Sequence, residues 1–194
     1  TPEPDPVQQL LEEMTLEQKV GQLFLVRPDS LDLSQTQDQI NDAKADGVTE
    51  LTDAMRQTLA EYPVGGVVIF GKNLESPQQI TQFLDDLQQA SDTPLFTAID
   101  EEGGLVARLA HNAAFDLPQY ESAAAVGTSG NPEDARAMGR TIGGYLKEYG
   151  FNLDFAPVAD VNTNPDNPVI GTRAFSSEPQ PAADLVGGAC AGFA

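Results

Sequence analysis

The amino-acid sequence predicts an α/β fold, about four βα units forming the first half of a TIM-type (β/α)8 barrel, with parallel strands and outer helices. Three observations lead there. Short apolar runs of strand length alternate with stretches that carry apolar residues at helical spacing. No two runs lie close enough in sequence to join as a hairpin, so neighbouring strands must be parallel. Charged residues gather where the apolar runs stop, the place where buried parallel strands present chemistry to a ligand. A doubly wound open sheet shares the alternation, but no Gly-x-Gly-x-x-Gly follows any strand and a dinucleotide site is unsupported.

The elements follow in chain order. Thr1-Pro2-Glu3-Pro4-Asp5-Pro6 reads as an extended linker. Residues 1–13 are that linker with the start of the first helix, and residues 14–194 are the barrel portion. Val7 to Met14 is a short amphipathic helix, and Thr15 with Gln18 forms a capping box that restarts a helix at Leu16, ended by Gly21. Gln22 to Val26 is the first buried strand, stopped by Arg27-Pro28. From Asp29 to Glu50 the chain is polar and acidic, a surface insertion with room for some helix. Leu51, Met55, Leu59 and Tyr62 then recur at helical spacing.

Gly65 to Gly71 is the second strand, apolar throughout and therefore covered on both faces. Ser76-Pro77 opens the next helix, with Gln79 closing a capping box and Ile80, Phe83, Leu84 and Leu87 forming the buried stripe. Leu95 to Asp100 is the third strand. Asn131-Pro132 starts a helix whose Met138, Ile142, Tyr145, Leu146 and Tyr149 face inward until Gly150 stops it. Phe151 to Asp160 is the fourth strand. Pro179 to Ala194 begins a fourth outer helix without an evident end, so the chain is expected to break off inside the barrel.

Composition narrows the function classes. With 40% hydrophobic and 21% charged residues the chain is globular and not disordered. Ten Lys and Arg against thirty Asp and Glu give a net charge of -20, which repels phosphate backbones and anionic membrane surfaces and makes a neutral ligand easier to accommodate. No run is long and apolar enough to predict a membrane span. Cys190, the single cysteine, excludes an internal disulfide and reads as a small buried residue among alanines and glycines. His111, the single histidine, leaves too few soft ligands for a zinc site and has no serine or cysteine motif to form a triad.

The chain is organised around Pro94 to Leu109. A short apolar strand ends there in Asp100-Glu101-Glu102, then Gly103-Gly104, then Arg108. The glycine pair lets the backbone turn sharply beside whatever is bound. Three adjacent carboxylates repel one another unless at least one turns away. Two more blocks stand out: Ile69-Phe70-Gly71-Lys72-Asn73-Leu74-Glu75-Ser76-Pro77, and Phe155-Ala156-Pro157-Val158-Ala159-Asp160-Val161-Asn162 running on through Asn167-Pro168-Val169-Ile170-Gly171-Thr172-Arg173-Ala174-Phe175.

Together the three blocks resemble the N-terminal catalytic domain of glycoside hydrolase family 3, in its β-N-acetylhexosaminidase branch, over almost the whole chain from Met14 onward. The resemblance implies a retaining exo-acting enzyme, and the opening linker, of the kind that follows a removed secretion signal, gives an extracellular or cell-surface bacterial location as the expectation, with a cytoplasmic one as the alternative. It implies release of terminal N-acetylglucosamine from glycans or cell-wall fragments, with a small carbohydrate as ligand and no cofactor or metal. Asp100 matches the aspartate that holds sugar hydroxyls away from the scissile bond, and a carboxylate suits that task because it accepts two hydroxyls through charge-assisted hydrogen bonds. Arg108 and Arg173 match arginines that line the sugar pocket. Glu102, Asp160 and Asn162 read as supports that orient the arginines and shape the glycine turn. Leu105 departs from the pattern, since many relatives carry arginine directly after the double glycine.

Retaining hydrolysis needs a nucleophilic carboxylate and a general acid/base. In the family these follow a Lys-His-Phe-Pro-Gly-His-Gly block, as an Asp-Ser-His loop and a later aspartate, and none of the three occurs in this sequence. No catalytic residue is therefore expected before Ala194. The expected partner is the remainder of the same barrel, supplied in cis. A β-glucosidase of the same broad family and a non-catalytic sugar-binding module are the alternatives.

Overall fold

The computed structural model of the chain describes residues 5–194. Its strands are β1 (Leu25–Val26), β2 (Gly66–Ile69), β3 (Phe96–Ile99) and β4 (Leu153–Asp154), hydrogen-bonded as one parallel sheet in the order β1-β2-β3-β4. The helices are α1 (Pro6–Glu13), α2 (Leu16–Gly21), α3 (Gln37–Asn41), α4 (Asp53–Glu61), α5 (Pro77–Gln89), α6 (Ala123–Gly127), α7 (Pro132–Glu148) and α8 (Pro179–Phe193). Each strand joins its predecessor in sequence order after a helical crossover, which is the arrangement of the first half of a (β/α)8 barrel. Because all strands run the same way, Arg27, Phe70, Asp100 and Phe155 lie at one end of the sheet.

Helix starts follow local chemistry. The hydroxyls of Thr15, Thr52, Ser76 and Ser122 accept the amide hydrogens of Gln18, Met55, Gln79 and Ala125, satisfying donors that the first helical turn leaves free. Gln79 reaches back to the amide of Glu75 instead of Ser76, one residue away from the expected box. Gly150 stops α7's exit at φ 94°, a conformation open mainly to glycine. The core joins Val67 and Ile69 of β2, Ile99 of β3, Phe83, Leu84 and Leu87 of α5, and Ile142 and Leu146 of α7.

Several expectations are corrected. The first strand is shorter than Gln22 to Val26, because Leu23 and Phe24 close turns onto Val20 and Gly21 and their side chains are exposed. The fourth strand is confined to Leu153–Asp154 and does not extend to Asp160; Pro157 has no amide hydrogen to add to the ladder. The segment from Asp29 to Glu50 is more than a surface insertion, since it holds α3 and buries Asp29, Leu31 and Ile40. Cys190 is exposed, because the inward stripe of α8 is Ala182, Leu185, Gly188 and Ala189, and Cys190 lies about 100° around the helix from its neighbour. Tyr62 is exposed at the end of α4, and α6 is too short to give a periodic signal. The linker's Thr1 to Pro4 lie outside the described residues.

The closest helix pair is α7 and α8, and glycine makes the approach. A Cβ added at Gly139 would strike the carbonyl oxygen of Ala189, one at Gly188 that of Pro132, and one at Gly192 that of Arg136. Carbonyl backbone cannot swing aside as a flexible side chain can. Gly139→Val is therefore expected to destabilise the fold by roughly 1–3 kcal/mol, the cost of overpacking. Thermal unfolding checks this, and an unchanged midpoint would show that the helices do not meet at that glycine.

Candidate functional site

The site begins with an alternation. Successive side chains at the end of β3 point to opposite sides, so Asp100 and Glu102 share one side and Glu101 takes the other. Glu101 is fully buried. Its carboxylate accepts the amide hydrogens of Leu109 at 2.9 Å and Ala110 at 3.0 Å and the hydroxyl of Tyr145 at 2.8 Å. Three donors offset the cost of burying the group. Burial and the charge of Glu101 push the Tyr145 hydroxyl well above its usual range, so it stays a donor. The repulsion among three adjacent carboxylates is thus relieved by turning the middle one into the protein.

The loop after Glu101 folds back on itself. Glu101 and Ala107 form an antiparallel bridge, and the amide of Glu102 donates to Val106 at 2.8 Å. Gly103 sits at φ 86°, and a Cβ there would meet Met138 Cε at 2.5 Å and Ile142 Cδ1 at 2.7 Å. Glycine is thus required by conformation, and the two close atoms are the ends of flexible side chains. Leu105 stands exposed at the tip. The return brings Arg108 beside the residue that started the loop, and its Nη2 donates to Asp100 Oδ2 at 3.1 Å. Arg108 also lies 5.7 Å from the centre of the Phe70 ring, a cation–π contact.

Arg173 arrives from the other predicted block, within a short 3-10 turn at Gly171–Arg173. Its Nε and Nη2 donate to Glu102 at 2.8 and 2.6 Å, a bidentate fork, and its Nη1 donates to the carbonyl of Val169 at 3.2 Å. The hydrogen bonds with Glu102, then its charge, raise the affinity of Arg173 for its proton, and Asp160 adds to this by charge alone. Among the described residues no hydrogen bond from Asp160 or Asn162 reaches Arg173. Asn162 is held by its own amide, which donates to Ser176 at 3.0 Å. His111 is exposed in a loop.

Two further parts carry the site. Asp29, fully buried after β1, pairs with Lys72 Nζ at 3.1 Å and accepts Asn73 Nδ2 at 2.9 Å and the amide of Val48 at 3.2 Å. Breaking such a buried pair by removing one partner costs about 3–5 kcal/mol. Lys72 and Asn73 stood in a singled-out block, but Asp29 gave no signal beyond an acidic segment. Asp154, at the end of β4 and opposite Ile99, is the other: its Oδ1 accepts the amide of Glu101 at 2.9 Å, and its Oδ2 is buried without a partner among the described residues.

Burial pushes the Asp154 carboxyl up to about 8; the Glu101 amide opposes this, and the charges of Glu101, Asp100 and Glu102 reinforce it. An unfolded aspartate titrates at its ordinary 3.8, so between 3.8 and about 8 the folded chain holds a proton that the unfolded chain has released. The stabilising contribution is full below the lower value and is lost as pH rises to the upper one. Asp154→Asn keeps an oxygen for Glu101 and cannot ionise. The variant is expected to gain stability relative to the parent as pH rises through that window, measured by denaturant unfolding at several pH values. A constant difference would mean that Asp154 titrates alike in both states.

Parallel strands with outer helices, and polar side chains collected at their C-terminal ends, define the class as the first part of a (β/α)8 enzyme domain. Residues 15–193 match the glycosyl hydrolase family 3 N terminal domain, and the chain belongs to that family. It is 36% identical over 137 residues to beta-hexosaminidase A of Pseudoalteromonas piscicida, covering 68% of this chain and 23% of that protein. It is 35% identical over 141 residues to the beta-hexosaminidase of Nitrosomonas eutropha, covering 71% and 40%. Among solved structures, a glycoside hydrolase family 3 beta-N-acetylglucosaminidase from a Paenibacillus species superposes with a TM-score of 0.77 at 34% identity, over 93% of this chain and 31% of that one. A beta-N-acetylhexosaminidase from Beutenbergia cavernae gives 0.73 at 25% identity, over 93% and 51%. The chain spans less than half the length of the curated relatives it matches.

Proposed function

We propose that the chain is the substrate-binding N-terminal part of a retaining exo-β-N-acetylhexosaminidase that removes terminal N-acetylglucosamine from glycans or cell-wall fragments. The observation that carries this reading is the Asp100–Arg108 pair. Its side chains are 29% and 33% exposed, so both groups reach solvent at the end of β3. Together they offer carboxylate acceptors and guanidinium donors to one polyhydroxylated ring. Arg173, held by Glu102, completes the sugar-facing set on this reading. The beta-hexosaminidase names of the relatives support the substrate class.

Asp100 acts here as a grip and not as the nucleophile. It pairs with an arginine, and the two catalytic groups of the family follow sequence blocks that the 194 residues do not contain. The partner on this reading is the remainder of the barrel in cis. Leu23, Phe24 and Phe155, 80%, 55% and 48% exposed, lie by the outer strands β1 and β4 and would be covered by it. Action outside the cell or at its surface is part of the same reading.

The test uses the full-length enzyme and an aryl β-N-acetylglucosaminide. Asp100→Ala is expected to lower kcat/KM about 30-fold to several thousand-fold, the loss of a charge-assisted pair of hydrogen bonds. Azide should not rescue the variant. Rescue with a glycosyl azide of inverted configuration would make Asp100 the nucleophile, and an unaffected kcat/KM would remove it from the pocket.

A further inference from the structure

β4 has β3 on one side, and its other edge is unpaired among the described residues. Beside it lies a groove of about 370 Å³, lined by Leu146 and Lys147 of α7, Phe193 of α8, and Phe151, Leu153 and Asp154. Phe155 stands exposed just beyond the strand. An open ladder with apolar side chains next to it is a surface made for one more strand.

Two polar side chains of this stretch reach across the ladder. Asn152, just before β4, accepts the amide of Thr97 through Oδ1 at 2.8 Å and donates through Nδ2 to the carbonyl of Leu95 at 2.9 Å, so both ends of its side chain are spent on the β3 segment. Asp154 spends only one. Its Oδ1 accepts the amide of Glu101 at 2.9 Å, whereas Oδ2 is buried and has no partner among the described residues. A carboxyl is planar, so an Oδ1 turned to β3 leaves Oδ2 on the side of the unpaired edge. A buried polar atom of this kind calls for a partner.

The charges around Asp154 select that partner. From the end of β3, Asp100, Glu101 and Glu102 act on it by charge, and burial works in the same direction, towards the protonated form. The Tyr145 hydroxyl of α7 is given to Glu101, and Arg108 and Arg173 are held by Asp100 and Glu102. Lys147 lines the groove without an ion pair among the described residues, and α8 brings only Phe193 to it. A carboxyl that keeps its proton has one hydroxyl to donate. The backbone carbonyls of an added strand are acceptors of the matching kind.

We propose that Asp154 is a positioning residue that joins the strands on either side of β4, its Oδ1 holding the end of β3 and its Oδ2 donating to a backbone carbonyl of a further parallel strand on the open edge. The proposal rests on the glycosidase reading above, in which that strand comes from the remainder of the barrel in cis. Asp154 then touches no substrate. It sets the end of β3, with Asp100, at a fixed spacing from the strand beyond β4.

The test uses the full-length enzyme and an aryl β-N-acetylglucosaminide, read by kcat/KM against pH, by thermal unfolding and by the infrared band of a protonated carboxyl. Asp154→Leu leaves the Glu101 amide and the added strand's carbonyl unpaired, and should lower kcat/KM about 5- to 100-fold. Asp154→Asn keeps an acceptor and a donor and cannot ionise, so it should restore most of that loss. The parent-to-asparagine ratio of kcat/KM should fall about 10-fold as pH rises past the titration of Asp154, at about 8 or above, where the parent loses its donor. The infrared band should be present in the parent and missing from both variants. An asparagine variant that tracks the parent through that pH range, or one as damaged as the leucine variant with a loss that grows as pH rises, would overturn the proposal; the second result would mean that an ionised Asp154 meets a cation. If the leucine variant does not fold, the asparagine pH profile and the infrared band decide. Should the full-length enzyme not hydrolyse the glycoside, the glycosidase reading fails, while the infrared band and the pH dependence of the unfolding midpoint still decide Asp154.

Discussion

A fully buried carboxylate has to be surrounded by donors, and at the end of β3 that requirement shapes everything nearby. Glu101 takes two consecutive amides from Leu109 and Ala110 and one hydroxyl from Tyr145. The amides fix where the chain returns after the glycine turn, and so place Arg108 next to Asp100. The hydroxyl ties the loop to α7, 44 residues downstream, and Asp154 ties its backbone to β4. An unmet donor need here would cost more than a typical hydrogen bond contributes. The polar end of the sheet is thus held by a group with no exposed surface of its own.

Charge at this end is organised in the same way. With a net charge of -20, the chain has few cations, and it concentrates several of them where the strands end. Lys72 and Arg173 pair with carboxylates from other stretches of chain, which links the loop after β1 to that after β2 and the loop after β3 to that after β4, while Arg108 closes the loop after β3 on itself. The buried Asp29–Lys72 pair joins the acidic segment to the end of β2. Glu102 and Arg173 join residues 71 apart. Such pairs add less to net stability than their Coulomb attraction suggests, because both partners are desolvated. Their effect is geometric, since a charge without its partner would be costly and alternative loop positions are disfavoured.

The sequence made the architecture legible because its signals are local. Caps at Thr15, Ser76 and Asn131, stripes such as Ile80-Phe83-Leu84-Leu87, and short apolar runs without hairpins suffice for parallel strands and outer helices. Strand length was less legible, because the ladder at Phe151 to Asp160 depends on a neighbour's register and on Pro157. At the site, Asp100, Glu102, Arg108 and Arg173 could be singled out by position and by resemblance. Their pairing could not. That Arg108 meets Asp100 follows from loop closure, and that Arg173 meets Glu102 follows from a contact across 71 residues. Asp154 and Asp29 gave no signal, since an aspartate becomes unusual only when folding buries it.

The two arginine pairs differ in how firmly each is closed. Arg173 and Glu102 share two hydrogen bonds, and the Glu102 side chain is only 9% exposed. Arg108 and Asp100 share one bond at 3.1 Å, with side chains 33% and 29% exposed. A bidentate, largely enclosed pair resists competition, whereas a single exposed contact is worth roughly 0–1 kcal/mol. A ligand that offers hydroxyls to both Asp100 and Arg108 therefore gives up little by displacing their mutual bond, and meets groups that the Glu101 anchor and the Phe70 ring have already oriented. Preorganisation of this kind keeps the entropy of ordering side chains out of the binding step. On the proposed reading positioning falls to the buried carboxylates and recognition to the exposed ones, and Asp100 and Glu101, adjacent in sequence, take opposite sides of that division because a strand alternates.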